Sequence, residues 1–373
     1  MDCSVLDVKD IEVIKKDDYF IVKRSKKYFR LGSSEAKLLK DLLEIRNFKK
    51  VSEKNNVSES ELMDFVQALK DIGILGGLAK EKKNYLFYHV PFVNPNRFLD
   101  VFVKKAFQFK VVNILLITLL STIIITGLFY FCTNFPAFSS NFLRGFGVNE
   151  FILFYSASVI AVLLHELGHA IVCKYYGGKV EEIGLLFIFF SPALYCDVSS
   201  IREFKGKKER ILTLLAGIFV QLIIFSCMSI LFIEVYPNSS WVATFTYWNL
   251  IMVLVNIIPF IRLDGYWILS TILNVPNLYA KSFQLALGLK QNILFNESEQ
   301  RKKVYIKIYG YLNFIFVIFS IFSGFVGVYY MSSLLDGVYK MIMVTIQLSL
   351  YLLISIFFIR FIYKIIKKPK SSY

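Results

Sequence analysis

Two histidines, His165 and His169, lie four residues apart in an apolar stretch of the chain, and Glu166 directly follows the first of them. On a helix this spacing places both imidazoles on one face, where they can share one Zn²⁺ ion while the glutamate acts as a general base on a nearby water. The same pattern can also arise by chance, with the histidines bonded only to neighbouring groups. The chain has three histidines and two belong to this motif, which favours metal chemistry.

The segment that holds the motif, residues 151–173, is otherwise apolar and long enough to cross a membrane as a helix. A charged side chain near the bilayer centre costs ~2.5–3.5 kcal/mol even on the more lenient scales, so ionisable groups in such a segment are candidates for function. Water reaches that depth only through a cavity in the protein. The third histidine, His89, precedes the first span, and we expect it to be an ordinary surface or interfacial residue.

The composition indicates an α-helical polytopic membrane protein, because 56% of the residues are hydrophobic and 17% are aromatic. The formal net charge of +15 is explained by basic cytosolic loops, so we expect no nucleic-acid partner. The five cysteines are scattered without a CxxC pair, which predicts neither a disulfide framework nor a thiolate zinc site.

Residues 1–85 are rich in lysine and glutamate and contain no apolar span, which predicts a small cytosolic domain. Two β-prone runs, residues 18–22 and 27–31, precede two helices with apolar periodicity. Ser58 and Glu61 form the capping box of the second helix. Two strands followed by helices of this size indicate an α+β fold that resembles a winged helix.

The run from Phe29 to Leu75 also resembles the PqqD-like peptide-recognition domains that accompany enzymes maturing ribosomally made peptides. The resemblance implies that a leader peptide pairs with an exposed edge of the domain's sheet. A DNA-binding winged helix is one alternative, which the mixed charges disfavour, and a purely structural domain is another. We expect residues 86–110 to form a linker or juxtamembrane segment.

Six apolar segments are each close to the ~20 residues that a helix needs to cross the hydrocarbon region. They are residues 111–131, 151–173, 211–233, 241–260, 305–331 and 341–363. With the first domain in the cytosol, the loops on that side carry nearly all the lysine and arginine, and the other side carries almost only Arg144. This predicts a multi-pass protein of the cell membrane whose two termini are cytoplasmic. The HExxH motif then lies slightly past the middle of its span, towards the cytosol.

The motifs divide the membrane part into a core, residues 111–260, and a final part, residues 261–373, with a cytosolic loop and the last helices. Within the core, residues 180–190 are apolar but too short to span a membrane, and Ser191 and Pro192 follow them. This predicts a strand or a re-entrant hairpin at the membrane face. Such a strand offers an edge that could hold an extended substrate.

A catalytic zinc site needs a third protein ligand beside the two histidines. Asp264 is a candidate because it ends the fourth span in a mostly apolar stretch, where Pro259 interrupts the helix and Gly265 permits an inward turn. A helix-end charge paired with Arg262 is an equal alternative. The other nearby carboxylates lie in a charged loop, where solvated surface explains them: Glu181, Glu182, Asp197, Glu203 and Glu209.

The HELGH motif, followed by Asn256-x-x-Pro259-x-x-x-Leu263-Asp264-Gly265, resembles the site-2 protease family of intramembrane zinc metalloproteases. The segments Ser191-Pro-Ala-Leu-Tyr-Cys-Asp197 and Asp264-Gly-Tyr-Trp are similar to its peptide zinc metalloprotease branch, and the likeness covers roughly residues 100–330. We expect neither a PDZ domain between the second and third spans nor a CBS domain after the last span.

The resemblance implies a role for each matching residue. His165, His169 and Asp264 would bind zinc, and Glu166 would be the general base. Asn256 would hydrogen-bond the substrate backbone or the oxyanion. Asp197 matches a recurring position in the family whose role stays open.

The predicted function is that of an intramembrane zinc metalloendopeptidase. It would hydrolyse a peptide bond in a small ribosomally made peptide, with the first domain binding the leader. One alternative is site-2-type cleavage of a membrane-anchored signalling protein. Another is a peptide-binding protein for immunity or export without proteolysis. The expected partners are the peptide or membrane-protein substrate and the lipid bilayer.

Overall fold

The computed structural model describes residues 11–16, 19–25, 27–75, 87–145, 147–188, 191–288 and 300–334, with isolated residues between 344 and 363. Most of these residues are helical. The chain divides into two compact units, Met1–Ile257 and Ile258–Tyr373. The sixth predicted span, residues 341–363, falls mostly outside the described residues.

The first unit begins with a three-stranded antiparallel sheet and three helices. The strands are β1 (Ile11–Lys15), β2 (Phe20–Arg24) and β3 (Lys27–Leu31), paired in that order, and the helices are α1 (Ser33–Ile45), α2 (Phe48–Asn55) and α3 (Glu59–Asp71). Val22 and Leu31 pack one sheet face against Leu39, Leu62 and Leu69 of the helices, all buried. Alternate residues of a strand point to the same face, so the sheet presents one apolar face to the helices, and the domain's core forms between them.

The predicted strands and helices of this domain are confirmed, as is the capping box between Ser58 and Glu61. Strand β1 and helix α2 were not predicted, because both are short and rich in charged residues. The winged-helix type of the domain stays a prediction.

Among the residues that the structure describes, five helices are long and apolar enough to cross a membrane, which indicates a membrane protein. They are α5 (Lys110–Thr133), α7 (Val148–Tyr175), α8 (Lys207–Glu234), α9 (Ser240–Ile257) and the part Arg301–Gly327 of α12 (Gln300–Leu334). They coincide with the first five predicted spans. Two shorter helices, α4 (Asn96–Ala106) and α6 (Phe135–Asn141), flank α5.

Helix α8 lies at the centre of the first unit and packs against α5, α7 and α9. Glycines let these backbones approach closely. A Cβ on Gly127 of α5 would overlap the backbone of Ser226, and one on Gly168 of α7 would lie 3.0 Å from the carbonyl oxygen of Ala216. The helix that carries the HExxH motif is therefore packed directly against α8.

A second antiparallel sheet combines distant parts of the first unit. Its strands are β4 (Phe87–Val93), β5 (Ile183–Ile188) and β6 (Ser191–Cys196), in the order β4-β5-β6. The hairpin β5–β6 confirms the predicted strand or hairpin after the motif. Strand β4, which contains His89, and helix α4 occupy residues that were expected to form a linker.

The second unit contains α10 (Asp264–Leu273), α11 (Leu278–Ala286) and α12. Its core surrounds Tyr266, which is buried with Leu278 and Tyr309. Asp264 is the first residue of α10, whereas the sequence placed it at the end of the fourth span. That span ends earlier, at Ile257, because Pro259 cannot continue a regular helix. The Pro259 carbonyl accepts a hydrogen bond of 2.7 Å from the Tyr309 hydroxyl.

Candidate metal centre

The two motif histidines face each other in the interior of the first unit. His165 and His169 are 6% and 5% exposed, and their Nε2 atoms lie 3.1 Å apart with the rings nearly perpendicular, at 85°. A tetrahedral Zn²⁺ ion with Zn–N bonds of ~2.0–2.1 Å holds two nitrogen ligands about 3.3 Å apart. The spacing of the Nε2 atoms therefore fits two ligands of one tetrahedral ion.

Helix α8 fixes the orientation of His169. The Nδ1 of His169 lies 2.7 Å from the backbone carbonyl oxygen of Thr213, a residue with no exposed surface. In that contact Nδ1–H donates to the carbonyl, which leaves Nε2 unprotonated for a metal. Sequence reasoning missed this contact because a backbone carbonyl has no signature in the residue type.

Gly217, one helical turn after Thr213, provides the space for both imidazoles. A Cβ on Gly217 would lie 2.6 Å from Nε2 of His165 and would also overlap Nε2 of His169. Any larger residue at this position would displace the histidine pair. The sequence offered only a weak signal, since a glycine in an apolar helix usually indicates close helix packing.

Glu166 is held by the second sheet. Its Oε2 accepts a hydrogen bond of 2.9 Å from the backbone N–H of Cys196, the last residue of β6. The strand that follows the motif in sequence thus ends beside the motif's carboxylate. This contact fixes where the Glu166 carboxylate points.

Asp197, the next residue, makes two local hydrogen bonds. Its backbone N–H donates to the Glu182 carbonyl at 2.9 Å, and its Oδ1 accepts from the Ser199 N–H at 2.9 Å. The side chain thereby bonds the first residue of the short 3₁₀ helix Ser199–Glu203. These contacts describe a turn-forming aspartate.

Within the described residues of the first unit, His165 and His169 are the histidines suited to hold a metal. Asp264 belongs to the second unit, and its assignment as the third ligand stays a prediction. Two imidazoles and a carboxylate form a donor set typical of zinc sites that keep a position for water or substrate. The proposed alternative partner of Asp264, Arg262, has its guanidinium 5.1 Å above the ring of Tyr279.

Asn256 lies in the last turn of α9, and α8 holds it. Its Nδ2 donates to Oε1 of Gln221 at 3.0 Å, and Nδ2 of Asn249 donates to the Gln221 backbone carbonyl at 3.3 Å. Gln221 is only 3% exposed. A buried glutamine in a spanning helix is costly unless it is hydrogen-bonded, so its position in an apolar span marks Gln221 as a candidate functional residue. The sequence reasoning missed it.

Comparison with known proteins gives two partial similarities. The chain is 24% identical over 131 residues, 35% of its own length and 51% of the relative's, to YydH of Bacillus subtilis (strain 168), which is named as a candidate peptide zinc metalloprotease. It is 32% identical over 135 residues, 36% of its length and 38% of the relative's, to the zinc metalloprotease MJ0392 of Methanocaldococcus jannaschii. No family model and no solved structure matches the chain.

The chain thus spans about half, or less, of the length of these two relatives. Both similarities are to proteins named as zinc metalloproteases. Together with the buried histidine pair and Glu166, they support a zinc-dependent peptidase.

Proposed function

We propose that this protein is an intramembrane zinc metalloprotease that cleaves a small ribosomally made peptide. The observation that carries the proposal is the buried histidine pair in an apolar helix, with Nε2 atoms 3.1 Å apart and Glu166 fixed beside them. Peptide hydrolysis needs a metal, a base and an extended substrate, and each can be assigned to residues of the chain.

The metal ligands in this proposal are His165, His169 and Asp264. Bound Zn²⁺ would lower the pKa of a water molecule and polarise the scissile carbonyl. The Thr213 carbonyl keeps the Nε2 lone pair of His169 directed to the metal, and Gly217 leaves room for both rings. Contacts of this kind typically change metal affinity or activity by ~10–100-fold when lost.

Glu166 moves the proton. Its carboxylate takes a proton from the attacking water as the water oxygen bonds to the peptide carbonyl carbon. As the C–N bond breaks, Glu166 returns that proton to the leaving nitrogen, so the proton balance closes. The Cys196 N–H bonds Oε2 and so orients the carboxylate for this transfer.

The substrate must be extended, because the backbone carbonyls of a helical peptide are already hydrogen-bonded. Among the described residues, β6 pairs with β5 on one side, and its other side is an edge to which a peptide strand can add. A strand paired there would pass Cys196 and so reach Glu166. Asn256, oriented by Gln221, would bind the substrate backbone or the oxyanion with the remaining N–H of its amide.

The first domain supports a peptide with a leader as the substrate, because it docks against the 3₁₀ helix that follows this strand. The buried Lys16 donates to the backbone carbonyls of Glu203 and Phe204 at 2.6 and 2.8 Å. Lys23 and Tyr28 both bond Oε1 of Glu203, at 2.6 and 2.7 Å. A leader bound to this domain would hold the rest of the peptide close to β6.

The carboxylate of Glu203 is charged in this interface. Burial raises its pKa, but the hydrogen bonds from Lys23 and Tyr28 outweigh burial and leave the pKa below its usual value of 4.5. Burial and the bond to Glu203 raise the pKa of the Tyr28 hydroxyl, so Tyr28 stays protonated and donates.

The test is cleavage of a leader-containing precursor peptide by the full chain in lipid vesicles, followed by mass spectrometry. We expect cleavage that stops when the metal is chelated and returns on adding zinc. Cleavage of a membrane-anchored protein but of no soluble precursor would favour the site-2-type alternative. Cleavage that survives metal removal would contradict the proposal.

A further inference from the structure

Helix α4 has one side that packs against the protein. Leu99 and Val103 are buried on this side. Lys174, itself only 9% exposed and in the last turn of α7, donates to Oδ1 of Asp100 at 2.7 Å and to Oδ1 of Asn96 at 2.8 Å. The helix is therefore fixed to the end of the helix that carries the HExxH motif.

The opposite side of α4 is apolar and exposed. Phe98, Val101 and Phe102 are 71%, 56% and 43% exposed, and the rings of Phe98 and Phe102 stack with centroids 6.3 Å apart. Phe92 and Val93 of β4 are also exposed, at 57% and 62%. So many large apolar side chains near one another indicate a surface that something apolar covers.

Basic residues border this apolar side. At 100° per residue, Lys105 falls among the apolar side chains, and Arg97 and Lys104 fall along one edge of them. Long basic side chains in such positions extend their aliphatic part along apolar groups and place their charge at the level of lipid phosphates. This arrangement matches an anionic membrane surface better than a protein partner.

The connection to α5 places α4 at that surface. Only residues 107–109 separate α4 from α5, and three extended residues reach at most ~10 Å. Helix α5 is apolar enough to cross a membrane, and its first turns expose Val111, Ile114 and Leu115. The apolar side of α4 therefore continues a surface that lipid covers.

We propose that α4 lies in the headgroup region of the bilayer as an interfacial helix that binds anionic lipid. Phe98, Val101 and Phe102 enter the boundary of the acyl chains, and Lys104 and Lys105 pair with lipid phosphates. The proposal rests on the spanning helix α5 and does not depend on the proposed protease activity.

This position also sets the depth of the metal centre. Lys174 ties the end of α7 to α4, and His169 and His165 lie five and nine residues before it. At 1.5 Å per residue, they are about 7.5 and 13.5 Å further along the helix axis. Both histidines would then lie within the half of the ~30 Å hydrocarbon core nearer to α4.

The test is the depth of a nitroxide label, measured by electron paramagnetic resonance on the full chain in nanodiscs. Cys3, Cys132 and Cys227 are replaced by serine, and the parent without an added cysteine corrects for labelling elsewhere. A label at Val101→Cys should be more accessible to oxygen than to a water-soluble nickel chelate. A label at Met63→Cys, exposed on α3, is the aqueous reference and should show the reverse.

The lipid dependence is tested in nanodiscs of phosphatidylcholine with and without phosphatidylglycerol. We expect the label at Val101→Cys to lie deeper with phosphatidylglycerol, and the added substitutions Lys104→Glu and Lys105→Glu to remove that difference. A label as accessible to the nickel chelate as that at Met63→Cys would overturn the interfacial position. A label shielded from both reagents would mean that protein covers the face, and equal depth in both lipids would overturn the anionic-lipid preference.

Discussion

Replacing Gly217 by alanine should remove zinc without unfolding the protein. The added methyl group would lie 2.6 Å from Nε2 of His165, about 0.8 Å short of the 3.4 Å at which ordinary contact begins. The obstacle is the end of a side chain, so the imidazoles can rotate away at little cost to folding. A zinc site tolerates changes of only ~0.2 Å in ligand distance, so that rotation should weaken zinc binding by at least ~10–100-fold.

Gly127→Ala is the matched control, because Gly127 is equally crowded but lies between α5 and α8 away from the histidines. Its methyl group would meet the backbone of Ser226, which cannot rotate away. The two helices must separate, and overpacking of this kind typically costs ~1–3 kcal/mol. This variant should lose stability and keep its zinc.

The assay measures zinc per protein by elemental mass spectrometry across a buffered zinc series, together with the unfolding temperature of each metal-free variant. The reasoning predicts opposite outcomes for the two alanines: zinc lost and unfolding temperature nearly unchanged for Gly217→Ala, and zinc kept and unfolding temperature lowered for Gly127→Ala. Parental zinc affinity in Gly217→Ala would refute the assignment of the histidine pair to a metal.

Three further predictions concern groups around the site. Asp264→Ala should lose zinc and Glu182→Ala should keep it, in the same zinc titration; equal zinc in both would exclude Asp264 as a ligand. Gln221→Leu should keep zinc and slow peptide cleavage by up to ~10²–10³-fold, because Asn256 loses the group that orients it. An unchanged cleavage rate would show that this contact has no role in cleavage. Because the pKa of Glu203 is lowered on folding, its contribution to stability is present above about pH 4.5 and is lost as the pH falls through the folded value. The difference in unfolding temperature between the parent and Glu203→Gln should therefore shrink over that range, and a constant difference would contradict the charged interface.

The parts of the fold that the sequence predicted are those with local signals. Length and apolar composition located five spanning helices, and the short apolar run before Ser191 located the β5–β6 hairpin. Strand β4 escaped prediction because its partner, β5, lies almost a hundred residues later in the chain. No local pattern reports such a distant pairing.

The candidate site divides in the same way. The spacing of His165, Glu166 and His169 is a local pattern with a known chemistry, so it could be identified directly. The groups that hold these residues could not be, because the Thr213 carbonyl and the Cys196 N–H are backbone atoms. Gly217 matters because it has no side chain and so leaves space for the two imidazoles. That space can be recognised only once the packing of α7 against α8 is known.

The most direct test of the central claim compares Glu166→Gln with His169→Ala in the same two assays, zinc content and cleavage of a precursor peptide. Glutamine keeps the size of the side chain and a hydrogen-bonding group but cannot accept a proton from water, so Glu166→Gln should bind zinc as the parent does and lose cleavage. His169→Ala removes a ligand and should lose both zinc and cleavage. Cleavage at the parental rate by Glu166→Gln would contradict a zinc protease in which Glu166 is the base.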